Sequence, residues 1–173
     1  ARALEAVNSD NGIHGCLLLR PLPGHLKAME SKLCALLDPK KDVDGMTPVS
    51  AAGVFTGSGQ GFPPCTAQAC MALLDYYHID SAGKSAAVVG RSAVVGRPAA
   101  MLLLARNATV TVCHTGTKDV AAVTREADII ITAAGAAGSL TAAHVRPGQV
   151  VVDVSTNWNG VSLCGDAVSD DVS

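Results

Sequence analysis

Aromatic side chains are nearly missing from this chain: one Trp, two Tyr and two Phe in 173 residues. The core must then be filled by small aliphatic side chains. The abundant Ala, Val and Gly fit an α/β protein, whose buried parallel strands favour small branched residues. Charge is scarce as well, at 16% of residues, with a formal net charge of −2 and no basic run. That balance argues against nucleic acid or an anionic membrane surface as a partner. No apolar stretch is long enough to span a bilayer, and the opening Ala1-Arg2-Ala3-Leu4-Glu5 does not have the form of a signal peptide. A soluble, cytoplasmic protein is the expectation. The six cysteines (Cys16, Cys34, Cys65, Cys70, Cys113, Cys164) show neither CxxC nor Cys/His zinc spacing. Buried reduced thiols are therefore expected, with no metal site and no disulfide framework. There is no internal repeat and no low-complexity segment. The length suits one mid-sized domain, or one and a half small ones.

Most of the information lies between Gly83 and Val110. Ala86 to Val89 is a short apolar run with β-branched residues between turn residues, the pattern of a buried parallel strand. Gly90 ends it. Gly96 and Pro98 open a helix through Met101-Leu102-Leu103-Leu104, where proline suits the first turn because its missing N–H has no partner there. Asn107 to Val112 starts a second strand. Strand, glycine-bearing turn, helix and strand form a βαβ unit of nucleotide-binding length. The turn is Gly90-Arg91-Ser92-x-x-Val95-Gly96-x-Pro98, with a cation and a hydroxyl where other dinucleotide sites rely on glycine.

The rest of the chain alternates. Ala1 to Val7 reads as the end of a helix, His14 to Leu19 as a strand stopped by Arg20-Pro21-Leu22-Pro23, and His25 to Leu37 as a helix. Asp38 to Pro64 is rich in loop residues. Thr66 is a plausible N-cap for a helix reaching Tyr77. Asp128 to Ala133 and Val150 to Val154 are two further strand candidates. Ligands of parallel sheets sit beyond the carboxyl ends of the strands. Gly90-Arg91-Ser92, His114-Thr115, Ala134-Gly135 and Ser155-Thr156 all fall at such ends. Leu102-Leu103-Leu104 reads as a buried helix face, and His25, His78 and His144 as surface residues. Asp42 reads as a surface or turn charge.

With these motifs in order, the chain closely resembles the methylenetetrahydrofolate dehydrogenase/cyclohydrolase family. The turn motif carries the likeness, followed by Asn107-Ala108-Thr109-Val110-Thr111-x-Cys113-His114-x-x-Thr117. Pro21-Leu22-Pro23, Lys41-Asp42-Val43-Asp44-Gly45, Pro64-Cys65-Thr66, Ala127-Asp128-Ile129, Arg146-Pro147-Gly148, Val152-Asp153-Val154 and Cys164-Gly165-Asp166 agree with it. The resemblance runs from about Gly12 to Asp166. It implies an α/β enzyme with a folate domain, incomplete here, in residues 1–64. A Rossmann-like parallel-sheet NAD(P)-binding domain with its leading linker helix follows in 65–173. The implied reaction passes hydride from methylene-tetrahydrofolate to NADP in one-carbon metabolism, and many members then hydrolyse the methenyl cation. A cytoplasmic homodimer contributing to purine biosynthesis is implied as well.

Four departures from the family bear on these expectations. The chain does not contain the family's opening segment with its catalytic lysine, nor its closing Pro-x-Pro-Gly-Gly-Val-Gly-Pro segment, so these residues alone are expected to show neither activity. Leu19 stands where many members have Gln in Val-Gln-Leu-Pro-Leu-Pro, and leucine neither donates nor accepts a hydrogen bond. Ser155-Thr156 stands where the family usually has Gly-Ile beside the nicotinamide.

The resemblance also distributes roles. Asp44, a turn residue on spacing alone, becomes the carboxylate that holds the pterin ring, with Leu19, Pro21 and Leu22 lining the folate pocket. Gly90, Arg91, Ser92, Val95 and Gly96 cradle the dinucleotide. Arg91, otherwise a solvated loop arginine, suits phosphate contact because its guanidinium offers paired donors to oxyanions. His114, Thr115 and Thr117 lie near the adenosine ribose, Ser155 and Thr156 lie near the nicotinamide, and Ala134 and Gly135 are further cofactor-binding residues. No acidic residue ends the second strand, where NAD-specific folds usually place one, so NADP is expected over NAD. The competing reading, from a different functional class, is a non-catalytic nucleotide-binding fragment or oligomerisation module.

Overall fold

A computed structural model describes residues 1–172, which divide after Cys65 into two units. In the first, helix α1 (Arg2–Ser9) buries Leu4. The Lys41 ammonium gathers the carbonyls of Val7, Asn8 and Asp10 at 2.6, 3.0 and 2.8 Å. A cation belongs at such a helix end, where unpaired carbonyls leave partial negative charge. A 3₁₀ segment, Gly24–Met29, runs into α2 (Glu30–Leu36), so only the second half of the expected 25–37 helix is α-helical. Leu33 and Leu37 pack with Leu4, and Cys16, Leu18 and Leu22 close over them.

Two expectations for this unit need correcting. His14 to Leu19 is not a strand. Its side chains alternate as in one, Cys16 and Leu18 inward, Leu17 and Leu19 outward. The backbone, however, finds a single bridge, with Cys16 N–H donating to the Lys41 carbonyl at 2.7 Å. A strand needs a continuous ladder of such bonds. The stretch 38–64 is also not all loop, since it contains α3 (Pro48–Thr56). Thr47 caps α3 by accepting from Ser50 N–H, Pro48 fills the first position, and Gly57 ends it in the left-handed region.

The second unit begins its regular structure with α4 (Cys65–Tyr76). Thr66 therefore lies inside the first turn rather than capping it. Then follow β1 (Ser85–Val89), α5 (Gly96–Ala105), β2 (Thr109–Cys113), α6 (Val120–Glu126), β3 (Ile129–Thr132) and β4 (Val150–Asp153). The strands form one parallel sheet in the order β2-β1-β3-β4. Asn107 is not part of β2: it closes α5 with φ 63°, and the strand starts at Thr109.

Alternation in β1 sets the layers. Ala86 and Val88 face a cluster containing Cys70, Leu74, Ala99 and Leu103 from α4 and α5. Ala87 and Val89 face the opposite side, among Cys113, Ile130 and Leu140, with Val120 and Val123 of α6 packed beside them. Helices cover both faces, the doubly wound arrangement in which parallel strands read as continuous apolar runs. Within Leu102-Leu103-Leu104 only Leu103 is fully buried and Leu104 is 55% exposed, since one face of a helix meets the sheet. A short antiparallel ribbon, β5 (Asn157–Trp158) with β6 (Leu163–Cys164), and the turn α7 (Ser169–Val172) complete the described chain. No helix among the described residues is long and apolar enough to cross a membrane.

Candidate functional site

At the carboxyl end of β1 the chain turns sharply into α5. Gly90 has φ 123°, and a Cβ there would lie 2.3 Å from the Ala133 carbonyl oxygen; one on Gly96 would lie 2.2 Å from the Gly90 carbonyl oxygen. The strand end, the loop and the first turn of α5 are thus packed backbone against backbone, and only hydrogen fits between them. Ser92 holds the loop: its Oγ accepts from Val95 N–H at 3.1 Å and Gly96 N–H at 3.3 Å. Arg91 is exposed and, among the described residues, makes no hydrogen bond or ion pair. A cation left free beside a helix N-terminus is available to an oxyanion.

The other strand ends converge on the same edge of the sheet. After β2, His114 N–H donates to Thr117 Oγ1 at 2.9 Å, and Gly116 N–H donates to His114 Nδ1 at 3.0 Å. Thr115 at the tip of this turn is exposed. After β3 and β4 lie Ala134-Gly135 and Ser155-Thr156, and here a buried carboxylate that sequence reasoning assigned no role organises the backbone. Asp166 accepts from Thr132 Oγ1 (2.9 Å), Ala134 N–H (2.7 Å), Gly135 N–H (3.2 Å), Ala136 N–H (2.7 Å), Ser155 Oγ (2.6 Å) and Asn157 Nδ2 (3.0 Å). Burial pushes this carboxyl up, but the hydroxyl, amide and N–H donors together hold it below the ordinary carboxylate range. Ser155, in the place of the family's glycine, is therefore one of the groups that satisfy Asp166. Thr156 is exposed. The only trace of Asp166 in the sequence is its place in Cys164-Gly165-Asp166.

In the first unit the two carboxylates of Lys41-Asp42-Val43-Asp44 part company. Asp42 is 1% exposed; of the surface or turn charge expected, it is the turn residue, its carbonyl accepting from Gly45 N–H, and not a surface charge. It accepts from Met46 N–H at 2.9 Å and, through its other oxygen, from Thr47 N–H and Ser50 Oγ at 2.7 Å each. Burial raises its pKa and these donors more than reverse the shift. Asp42 is saturated by the protein itself and fixes the start of α3. Asp44, two residues on, is half-buried and accepts no hydrogen bond among the described residues; its one charged neighbour is Arg20, Nη2 to Oδ2 3.7 Å. A carboxylate left with open lone pairs is the one able to take donors from a ligand. Leu19 is 74% exposed, while Leu22 packs against the Leu4 cluster and Pro21 is exposed.

His25 and His78 are exposed, but His144 is half-buried and pairs with Thr141 in a reciprocal cap. All six cysteines are free; Cys34, Cys70 and Cys113 are buried, Cys16 and Cys164 are half-buried, and Cys65 is exposed. Burial pushes the Cys70 thiol up to about 11, which keeps it protonated and inert. Among the described residues no cluster of His, Cys, Asp and Glu could hold a metal ion.

Comparison with known proteins bears on the whole arrangement. Residues 64–173 match the family model described as the tetrahydrofolate dehydrogenase/cyclohydrolase NAD(P)-binding domain. A bifunctional protein FolD from Carboxydothermus hydrogenoformans is 47% identical over 174 aligned residues, covering 99% of this chain and 60% of that protein. The crystal structure of the bifunctional FolD methylenetetrahydrofolate dehydrogenase/cyclohydrolase from Campylobacter jejuni superposes with a TM-score of 0.94 at 40% identity, over 99% of this chain and 60% of that one. The Trypanosoma brucei FolD, solved with NADP cofactor and inhibitor, gives a TM-score of 0.88 at 32% identity, over 98% and 60%. The chain thus spans about 60% of the length of the relatives it matches.

Proposed function

The chain belongs to the tetrahydrofolate dehydrogenase/cyclohydrolase family, and from that premise we propose that it provides the NADP site and part of the folate site of an NADP-dependent methylenetetrahydrofolate dehydrogenase. In this reading residues 1–64 contribute to the folate domain and 65–173 form the dinucleotide domain. The observation that carries it is the turn after β1, closed by two glycines whose Cβ positions are taken by backbone and fringed by an uncommitted Arg91. The residues fit the cofactor: Arg91 offers donors for its phosphates, Ser92 fixes the loop, and His114, Thr115 and Thr117 flank its adenosine end. Ala134, Gly135, Ser155 and Thr156 border its nicotinamide end. When bound, the nicotinamide supplies the hydride acceptor. The protein's share is alignment and the exclusion of water.

Asp44 is assigned to the pterin ring, with Leu19, Pro21 and Leu22 beside it. Its free lone pairs suit the ring's N–H donors. Hydrolysis of the methenyl cation needs groups that position and deprotonate water. Leu19 offers none, so hydrolysis is the weaker half of the proposed activity. The reading extends to tetrahydrofolate derivatives as ligands and to a cytoplasmic homodimer acting in one-carbon metabolism and purine biosynthesis, as the family resemblance implies.

Two measurements test it. Calorimetric titration with NADP is expected to show binding, weakened in Arg91→Ala by about 1.5–3 kcal/mol for the loss of a charged hydrogen bond. Equal weakening for NAD places Arg91 on the pyrophosphate, whereas no weakening for either removes it from the site. Asp44→Asn preserves size and removes charge. Tetrahydrofolate affinity is expected to fall by about 1.5–3 kcal/mol while NADP affinity holds. Unchanged affinity for tetrahydrofolate returns Asp44 to an ordinary turn residue.

A further inference from the structure

The guanidinium of Arg20 lies between two carboxylates, with Nη1 3.7 Å from Glu30 Oε1 and Nη2 3.7 Å from Asp44 Oδ2. Its side chain is 18% exposed, and its Nε is buried without a hydrogen-bond partner among the described residues. This is a charged group held inside the unit and incompletely satisfied, a costly placement unless it serves the carboxylates around it. Where many members of the family have Val-Gln-Leu-Pro-Leu-Pro, a leucine occupies this place.

We infer that Arg20 is a positioning residue for folate recognition, acting through Asp44. The inference rests on the assignment of Asp44 to the pterin ring. Neither contact at 3.7 Å is a hydrogen bond, so the attraction orients Asp44 without consuming its lone pairs. Arg20 approaches Oδ2, while Oδ1 accepts nothing among the described residues. A half-buried carboxylate beside a fixed cation has a defined direction. A ligand presenting adjacent N–H donors then meets an acceptor already in place, and less ordering is left to the moment of binding. Glu30 holds the guanidinium from its other side, so the arginine is anchored by α2 while it faces the Asp42–Gly45 turn. The contrast with Asp42 supports the assignment: that carboxylate has three donors of its own and no arginine, and Asp44 has an arginine and no donors.

A double-mutant cycle decides the question, with tetrahydrofolate binding by the 173-residue chain measured calorimetrically under reducing conditions. Arg20→Leu is expected to weaken binding on the order of ten-fold, and Arg20→Lys, which keeps a cation, to recover part of the loss. In an Asp44→Asn background the same Arg20→Leu change is expected to have no further effect. An equal loss in both backgrounds overturns the inference, because Arg20 then acts on the fold or the ligand independently of Asp44. If Asp44→Asn by itself leaves binding unchanged, or the unmodified chain does not bind tetrahydrofolate, the assignment of Asp44 falls and the inference with it. Thermal unfolding of Arg20→Leu separates a folding defect from a binding one, since an intact transition with weakened binding supports positioning. NADP affinity, read on the same samples, is expected to stay constant across the set.

Discussion

Asp166→Ala is expected to unfold or severely loosen the dinucleotide unit, with a loss of about 3–5 kcal/mol. The carboxylate is fully buried and accepts from three loop N–H groups, two hydroxyls and one side-chain amide. Truncation leaves these donors facing an apolar void, and each unsatisfied buried donor costs roughly 1–3 kcal/mol. Asp166→Asn is less severe in shape but turns an N–H toward the same donors. The measurement is chemical denaturation followed by far-UV circular dichroism; a loss under about 1 kcal/mol is too small for a buried network of this kind and overturns the account. The same group sets an acid limit. Its folded pKa lies below its unfolded value, as does that of Asp42. The stability each contributes is therefore fully present above the unfolded pKa, near 3.9, and is lost as pH falls through the lower folded value. Stability is expected to hold from neutral pH down to about 4 and to decline below it. Asp166→Asn is expected to flatten that decline in the second unit.

Gly90→Ala is expected to abolish NADP binding, a loss of 100-fold or more by rough estimate, and to cost about 1–3 kcal/mol of stability. Two effects coincide at this position. The residue has φ 123°, which L side chains rarely adopt, and the added Cβ would sit 2.3 Å from the Ala133 carbonyl oxygen, just beyond the end of β3. Relief requires the strand end to move away from the Ala133–Ala134 backbone, and that movement displaces Arg91 and Ser92. Gly96→Ala probes the same packing from the helix side, where the clash is with the Gly90 carbonyl. Titration with NADP beside thermal unfolding checks both. Retained affinity in Gly90→Ala is the result that removes this turn from the site.

Much of the second unit was legible because its strands are short apolar runs ended by glycine or polar residues. Ala86–Val89 and Ile129–Thr132 carry their burial in their composition, while Val150–Asp153 is the half-buried edge of the same parallel sheet. The first unit was harder to read. His14–Leu19 has the composition of a strand and the alternation of one, yet strand formation depends on a neighbour, which no local pattern contains. Pro48–Thr56 was hidden by Gly53 inside it and Gly57 at its end, and helix signals are weak in a segment of that length.

The candidate site divides in the same way. The sequence by itself determined the βαβ unit, the glycine turn with its arginine and serine, and the absence of an acidic residue after β2, because each is a matter of residue type at a fixed spacing along one stretch of chain. Only the tertiary structure decided which carboxylates are structural and which are free. Asp42 and Asp44 are two residues apart in one turn, and Asp166 is distant from the loops it holds. Their roles follow from the number of donors that converge on each, three on Asp42, six on Asp166 and none among the described residues on Asp44. Donors that converge from separate segments leave no spacing in the sequence, and so a buried, satisfied aspartate and an open one are written with the same letter.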